Sequence, residues 1–355
     1  MNRHYFLGGN TPLGFHSYFD SLLGQREANK IYVIKGGPGT GKSTLMKKAA
    51  QWAEEHGYHT DCLHCSSDPD SLDGMVIPEL GVGMVDGTSP HIVDPKNPAC
   101  VDTIIHLGDF WDEAAIRRHK EEILQYNTEI QGYYARAYRY LRTAGDFYSA
   151  IGEINRECLD EAYIRESAAE LTQGLEPNGS GTGRIRKLFL TAISPCGVVG
   201  FPETFTYANI RVLNGSICGG GSRVLKRAAA VFIENGYDIE CFYDPLQPAD
   251  SIAHLVVPAL ELFITTNDVL VQFPNAEKTI DLDGMLYAKA LERHEEELAE
   301  YKELIGTMLD QAVAVMKRAK STHDLLEGCY VPYMDFKKIN GVHKRVIKDM
   351  DQFAD

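Results

Sequence analysis

The chain has 355 residues, of which 44% are hydrophobic and 24% charged, and its formal net charge is −15. This composition is typical of soluble globular proteins, and the length suits two domains of ordinary size. The acidic balance argues against a broad nucleic-acid surface, because phosphate backbones are bound by clustered lysines and arginines. No apolar run reaches the roughly 18 residues of a membrane span, and the N-terminus lacks the pattern of a signal peptide.

The first predicted elements are a strand, a helix and two further strands. Residues 31–35 form a short apolar run that ends in glycines, which is typical of a buried strand. Good helix formers fill residues 43–56, and Gly57 follows as a natural C-cap. Residues 58–65 predict a second strand, residues 68–70 a turn, and residues 82–85 a third strand. This order predicts parallel strands joined by right-handed crossovers.

Long, highly charged helical segments follow, from Trp111 to about Leu171 and from Leu286 to Ala319. Their apolar residues recur near helical spacing. The favoured interpretation is a pair of amphipathic helices packed on their own domain. A helical hairpin or a coiled-coil-like arm is the alternative.

The eight cysteines are spread along the whole chain, unlike those of small secreted disulfide scaffolds. The expected compartment is therefore a reducing cytoplasm. Cys62 and Cys65 form a C-x-x-C pair, but one pair cannot supply the four ligands of a zinc site. We interpret both as buried strand cysteines, with metal or redox function as the alternative.

The chain consists of two copies of one unit. The sequence from Ile31 aligns without a gap with the sequence from Ile210, and one extra residue enters the second copy after about Leu246. Between the copies, residues 176–183 are rich in Gly, Ser and Pro, which is typical of a linker. The predicted domains are residues 1–176 and 184–355, each with a helical arm, and the two halves could associate as an internal pseudo-dimer.

A glycine-rich loop lies between the first predicted strand and helix. Its sequence is Gly36-Gly37-Pro38-Gly39-Thr40-Gly41-Lys42-Ser43, which fits the Walker A pattern Gly-x-x-x-x-Gly-Lys-[Ser/Thr]. The glycines let backbone N–H groups approach phosphate oxygens, and the helix N-terminus adds its positive dipole end. We expect Lys42 to bind the β- and γ-phosphates, Ser43 to bind Mg²⁺, and Thr44 to contact the α-phosphate. The sequence therefore predicts binding of one nucleoside triphosphate, most simply ATP with Mg²⁺.

This loop and its flanking elements resemble the P-loop NTPase superfamily over about residues 28–90. The whole chain also resembles a bacterial family of duplicated P-loop proteins that are ATPase-like or nucleotide-kinase-like. The resemblance implies an α/β fold with two tandem P-loop NTPase-like parallel-sheet domains. It implies a nucleotide ligand and leaves the reaction and the substrate open.

The second copy has lost the lysine of this loop. Its aligned sequence is Gly215-Ser216-Ile217-Cys218-Gly219-Gly220-Gly221-Ser222, in which Gly221 replaces Lys42. Asp86 aligns near Thr266, and residues 68–70 correspond to Gln247-Pro248-Ala249. The residues that differ are those able to touch a triphosphate or its metal. We therefore expect one working site in the first half and a degenerate second half that acts as a structural partner, a regulator or a lid.

Two groups of carboxylates are candidates for chemistry beside Lys42. Asp86 ends the apolar run 82–85, which is the Walker B arrangement for a Mg²⁺ ligand, and the alternative is a turn aspartate before Gly87. Asp68 and Asp70 follow the second predicted strand, where a carboxylate could orient an acceptor hydroxyl or a water molecule. The alternative for this pair is turn chemistry followed by helix capping. No glutamate follows Asp86, which disfavours vigorous hydrolysis.

Three functions follow as hypotheses. The first is an enzyme that hydrolyses ATP or transfers its phosphoryl group to an unknown acceptor, with Lys42, Asp86, Asp68 and Asp70 as catalytic residues. The second is a nucleotide-operated switch with little turnover, whose helical arms contact a protein partner. The third is a DNA-linked motor, which the acidic charge and the absence of a basic patch disfavour.

Overall fold

The computed structural model describes residues 2–89, 92–216, 218–267 and 278–354. The elements of the first half are β1 (Arg3–Tyr5), β2 (Gly8–Thr11), β3 (Gly14–Ser17), β4 (Lys30–Lys35), α1 (Lys42–Glu55), β5 (Asp61–Cys65), β6 (Asp68–Ile77), β7 (Val82–Asp86), β8 (Asp102–His106), α2 (Glu113–Ile116), α3 (Lys120–Glu157) and α4 (Glu161–Leu171). Those of the second half are β9 (Ile185–Leu188), β10 (Thr191–Ser194), β11 (Gly197–Gly200), β12 (Asn209–Asn214), α5 (Gly221–Glu234), β13 (Ile239–Tyr243), β14 (Ile252–Val257), β15 (Leu262–Asn267), β16 (Lys278–Asp281), α6 (Ala288–Leu291), α7 (Glu295–Gly328) and α8 (Phe336–Met350). Residues 176–183 contain neither helix nor strand.

Each half forms a six-stranded sheet with the same internal order. The first sheet has the order β1-β5-β6-β7-β4-β8, and the second has β9-β13-β14-β15-β12-β16. Every strand of the second sheet therefore occupies the place of its counterpart in the sequence repeat. The sequence duplication is a duplication of fold, and the α/β class is confirmed.

Both sheets are mixed, which corrects the prediction of parallel sheets. β4 is parallel to β7 and β8, and β1 is parallel to β5. β6, however, is antiparallel to both of its neighbours. Residues 68–70, predicted as a turn, are the first residues of this strand, and no helix follows them for Asp70 to cap. Residues 72–77 are all buried, so the alternation of apolar and polar residues that identifies a half-exposed strand is missing there.

The two sheets pack face to face, and helices cover their outer faces. Alternate residues of β4 show this arrangement, because successive strand residues point to opposite faces. Ile31 and Val33 join a core shared with the second sheet, whereas Tyr32 and Ile34 join a core with α1. The predicted strand and helix at residues 31–56 are confirmed as β4 and α1.

The long helices exchange partners between the halves. α3 and α7 pack along each other through residues that include Leu141 and Met316. At their ends, α4 packs against α5 of the second half, and α8 packs against α1 of the first half. The favoured interpretation, in which each helix packs on its own domain, is wrong. The boundaries 1–176 and 184–355 stay a prediction, and the helix packing crosses them.

Because of this exchange, a substitution in a terminal helix of one half should destabilise the sheet-covering helix of the other half. Ile339 of α8 and Ile164 of α4 occupy equivalent positions in the repeat, and both are fully buried against the other half. Each substitution by alanine should cost about 2–5 kcal/mol of unfolding free energy because it leaves a cavity. Hydrogen exchange should accelerate in α1 for Ile339→Ala and in α5 for Ile164→Ala. Acceleration confined to the mutated half would contradict the exchange, and Lys344→Ala on the exposed face of α8 is the control.

A cluster of four charges lies buried between the two sheets. Neighbouring strands pair Arg3 with Asp61 in the first sheet and Arg186 with Glu240 in the second. Each arginine also reaches the acid of the other half: Nη1 of Arg3 lies 2.5 Å from Oε2 of Glu240, and Nη1 of Arg186 lies 3.0 Å from Oδ2 of Asp61. Burial alone would raise the pKa of Asp61, but the two guanidinium groups outweigh it and hold that pKa well below its ordinary range. Two positive and two negative charges thus balance across the interface.

Candidate functional site

The predicted phosphate loop connects β4 to α1 at the junction between the two halves. Gly39 and Gly41 have φ values of 69° and 87°, which favour glycine, and Gly41 is the N-cap of α1. The hydroxyl of Thr40 donates a hydrogen bond to the carbonyl of Gly37 at 2.9 Å and closes the turn. The glycine spacing of the motif therefore matches the backbone geometry at two of its positions.

Lys42 folds back into the loop. Its Nζ donates hydrogen bonds to the carbonyls of Gly36 at 3.0 Å and Gly37 at 2.9 Å. The same ammonium group lies 3.6 Å from Oδ2 of Asp86, and the two side chains are only 12% and 14% exposed. The structure therefore brings together the two residues that the sequence analysis ranked first for phosphate and metal chemistry.

Asp86 reaches this position because β7 and β4 are neighbouring parallel strands. Its register partner is Ile34, so the carboxyl ends of both strands meet at one edge. The other oxygen, Oδ1, accepts a hydrogen bond from the backbone N–H of Thr88 at 2.8 Å, and the Thr88 hydroxyl donates to the carbonyl of Gly36 at 3.0 Å. The two interpretations of Asp86 are therefore compatible: the residue forms a turn and faces Lys42.

Ser43 connects the start of α1 to β6. Its Oγ accepts a hydrogen bond from the N–H of Leu72 at 2.9 Å, and Ser222 makes the same bond with the N–H of Ile252 at 3.0 Å. This equivalence aligns Asp70 with Asp250, so the second copy retains that aspartate. The comparison of the two copies therefore does not mark Asp70 as a residue of the intact loop's chemistry. Asp70 is exposed at the start of β6, and Thr44 is exposed on α1.

Asp68 pairs with a lysine of the other half. Oδ2 of Asp68 accepts a hydrogen bond from the Ser71 hydroxyl at 3.0 Å and lies 3.7 Å from Nζ of Lys320 on α7. Lys320 also lies 2.5 Å from Oδ1 of Asp324. The predicted acceptor side of the site is therefore lined by charged groups from both halves.

The end of α7 and the segment that follows it cover the loop. A Cβ at Gly37 would lie 3.6 Å from the ring of Tyr330, and one at Gly39 would collide with Val331. Glu327 is also adjacent to Gly39, at 4.0 Å from the same Cβ position. The loop at residues 36–43 is thus enclosed by residues about 290 positions away in the chain, which local sequence patterns cannot reveal.

Alignment of the two long helices could have identified these residues. With Arg118 matched to Arg293, the loop-facing positions of α7 align with small residues of α3. The pairs are Lys320/Gly145, Asp324/Ser149 and Glu327/Gly152. These three charged residues of α7 are therefore replaced on α3, although α3 presents other charged residues, including Arg142 and Glu153, to the cavity beside the second loop.

Three of the covering side chains could hold a cation. The ligand atoms of His323, Asp324 and Glu327 all lie within 4.8 Å of one another. Burial lowers the pKa of His323, which favours the neutral imidazole that binds metals. Lys320 competes for Asp324, so the ion pair and a bound cation are alternatives at this position.

The second loop borders a cavity of about 640 Å³, and one of its own N–H groups is already paired with a carboxylate. Its Gly220 has a φ of 99° and caps α5 as Gly41 caps α1. The N–H of Ser216 donates to Oδ1 of Asp283 at 2.7 Å, so a carboxylate occupies a loop N–H that an anion would use. Ile217 of this loop lies outside the described residues. This loop has lost its lysine and the free N–H of Ser216, while cationic side chains such as Arg142 and Arg156 line the cavity beside it.

The cysteine pair lies on β5, where Cys62 is buried as predicted and Cys65 is only partly buried. All eight cysteines are free. Burial raises the pKa of Cys62 to about 11, which favours the unreactive thiol. In the part of the chain that the structure describes, the side-chain clusters compact enough for a metal do not include Cys62 or Cys65.

No protein-family model, curated protein or solved structure matches this chain. Among the described helices, none is long and apolar enough to cross a membrane. The structure therefore shows a duplicated α/β fold with two mixed sheets, and function has to be argued from the loop and the groups around it.

Proposed function

We propose that the chain is a P-loop NTPase-like protein that binds one nucleoside triphosphate, ATP with Mg²⁺, in the loop at residues 36–43. The observation that carries this proposal is the position of Lys42, whose ammonium group lies inside the loop against the carbonyls of Gly36 and Gly37. Phosphate oxygens are stronger partners for an ammonium group than neutral carbonyls, because both members of the pair are then charged. The glycine-rich backbone and the N-terminus of α1 supply further donors.

The donor set beside Lys42 fits Mg²⁺. Ser43 supplies a hydroxyl and Asp86 a carboxylate, and Mg²⁺ prefers oxygen ligands of this kind together with phosphates and water. Bound there, the ion would neutralise charge on the phosphates during their transfer. One oxygen of Asp86 faces the ammonium group of Lys42, and the other accepts a hydrogen bond from the N–H of Thr88. A cation bound to this carboxylate would therefore share it with Lys42.

The proposed reaction is ATP hydrolysis or transfer of the terminal phosphoryl group. Asp68 would orient the attacking water or the acceptor hydroxyl, since its carboxylate lies 3.7 Å from the ammonium group of Lys320 of the second half. Among the described residues, Asp70 has no comparable partner, and we place it second.

A second candidate is a nucleotide-operated switch with little turnover. The cover formed by Tyr330 and Val331 favours it, because a ligand in the loop would press on the segment between α7 and α8. Movement of that segment would be transmitted to the packed pair of α3 and α7. Nucleotide binding would then change the surface of the helical arm for a protein partner.

Thermal unfolding with a panel of nucleotides tests the proposal. We expect Mg·ATP to raise the melting temperature, since a ligand at 100 times its Kd adds about 2.7 kcal/mol of stability. ATP with EDTA should give a smaller rise, because the metal bridge is missing. Phosphate release measured on the same samples separates hydrolysis from a switch. If no triphosphate changes the melting temperature, the proposal is wrong.

A further inference from the structure

The interface between α1 and α8 contains a histidine with an unpartnered ring nitrogen. His343 of α8 is 2% exposed. Its Nδ1 lies 3.3 Å from Nζ of Lys48 on α1. Its Nε2 is buried and has no hydrogen-bond partner among the described residues. Buried polar atoms without a partner are rare, and each one needs an explanation.

The contact with Lys48 determines which nitrogen carries the proton. An ammonium group can only donate, so Nδ1 accepts and the ring proton resides on Nε2. Burial and the charge of Lys48 lower the pKa of His343 to about 4, so the imidazole is neutral near pH 7. The unpartnered group is therefore an N–H donor in need of an acceptor.

This donor lies beside the start of α1. Nε2 lies 3.7 Å from the position that a Cβ would take at Gly41, the N-cap of the helix. The 14-residue helix α1 presents its free N–H groups and its positive dipole end at this point. An additional N–H donor beside the same point matches the needs of an anion.

The second half lacks this donor. By the alignment of α7–α8 with α3–α4, Ala168 occupies the position of His343, and α4 packs on α5 as α8 packs on α1. Arg227 stands at the position of Lys48 and pairs with Glu161 instead. The donor is therefore found beside the loop that retains its lysine and is replaced beside the loop that has lost it.

We propose that His343 is a nucleotide-binding residue, and that its Nε2–H donates a hydrogen bond to a phosphate oxygen of the triphosphate held at the N-terminus of α1. The inference rests on the proposed function and adds a ligand contact from the other half. Lys48 is a positioning residue, because it sets the tautomer. The bound nucleotide thereby links the phosphate loop to α8, the helix that completes the first half.

Binding of Mg²⁺ with the non-hydrolysable β,γ-imido analogue of ATP, followed by calorimetry, tests the contact. His343→Phe retains a ring and removes the donor, and it should weaken binding about tenfold to hundredfold, as expected for a lost hydrogen bond to a charged group. His343→Gln, which offers an amide N–H, should recover most of the affinity. Val342→Ala, a buried neighbour in the same interface, should lower stability and leave the affinity unchanged.

Nitrogen-15 NMR of the His343 imidazole distinguishes a ligand contact from a packing role. If His343 only packs against α1, its resonance does not change when the nucleotide analogue binds. The free protein should show protonated Nε2, and the analogue should shift that resonance. If the wild type binds the analogue through Lys42 but His343→Phe binds equally well and the resonance does not move, His343 only packs, and the proposed function stands. If the wild type binds no analogue, both proposals are wrong.

Discussion

Lys42→Ala should abolish the stabilisation of the protein by Mg·ATP. The substitution removes the cation that we expect to bind the β- and γ-phosphates, and each charge-assisted hydrogen bond contributes about 1.5–3 kcal/mol. Loss of two such bonds weakens binding by a factor of about 100 or more. The measurement is the rise in melting temperature with increasing Mg·ATP, which should be present in the wild type and absent in the variant.

Lys47→Ala is the matched control for this prediction. Lys47 lies on the same helix and is exposed, so its removal changes the net charge equally without touching the loop. The Lys47→Ala protein should bind Mg·ATP with the affinity of the wild type. A Lys42→Ala protein that still responds to Mg·ATP would contradict the assignment of the loop.

Returning a lysine to the second loop should not create a second site. A side chain at Gly221 would meet Cγ2 of Thr266 at 2.7 Å, and Thr266 occupies the position of Asp86. Gly221→Lys should therefore leave the stoichiometry at one nucleotide per chain. Two nucleotides per chain would show that the lost lysine alone separates the two loops.

Asp61→Asn should lower the free energy of unfolding by about 3–5 kcal/mol at pH 7. The change retains the shape of the side chain but leaves Arg3 and Arg186 with only Glu240 as a counter-charge between the sheets. Removing one member of a buried ion network is costly because the remaining charges are not solvated. Urea denaturation of both proteins measures the difference.

The effect of Asp61 should depend on pH in a defined direction. Its pKa in the folded state lies below the unfolded value of about 3.9, so its stabilising contribution is complete above that pH. As the pH falls further, the unfolded state takes up the proton first and the contribution is lost. The difference between wild type and Asp61→Asn should therefore be constant from pH 7 to 5 and shrink below about pH 4.

Glu113→Gln provides the comparison for this second prediction. Glu113 pairs with Arg117 on an exposed helix surface, where such pairs contribute only about 0–1 kcal/mol. An Asp61→Asn protein that loses no more stability than Glu113→Gln would show that the four charges between the sheets are not coupled.

Local sequence was sufficient to predict the loop and its place between β4 and α1. Lys42 and Ser43 follow a strand and begin a helix, and this arrangement depends on residues close together in the chain. Asp86 could be placed beside Lys42 because parallel neighbouring strands end at one edge. The repeat also gave the correct order of elements in the second half.

The cover of the site could not be predicted in the same way. An apolar helix face indicates that a helix is buried, but it does not indicate which sheet the helix covers. Ile164 and Ile339 would have satisfied the same pattern on either half. Lys320 meets Asp68, and His343 meets the start of α1, only because α7 and α8 of the second half pack against the first half. These contacts join residues that are far apart in sequence.

The exchange of α4 and α8 also affects how the chain can fold during synthesis. The apolar face of α1 is completed by α8, and roughly 280 residues separate the two helices. At about 5–20 residues per second, a ribosome needs tens of seconds to add that length. During this interval α1 has no permanent partner on its outer face, so the first half cannot finish folding before the second half is made.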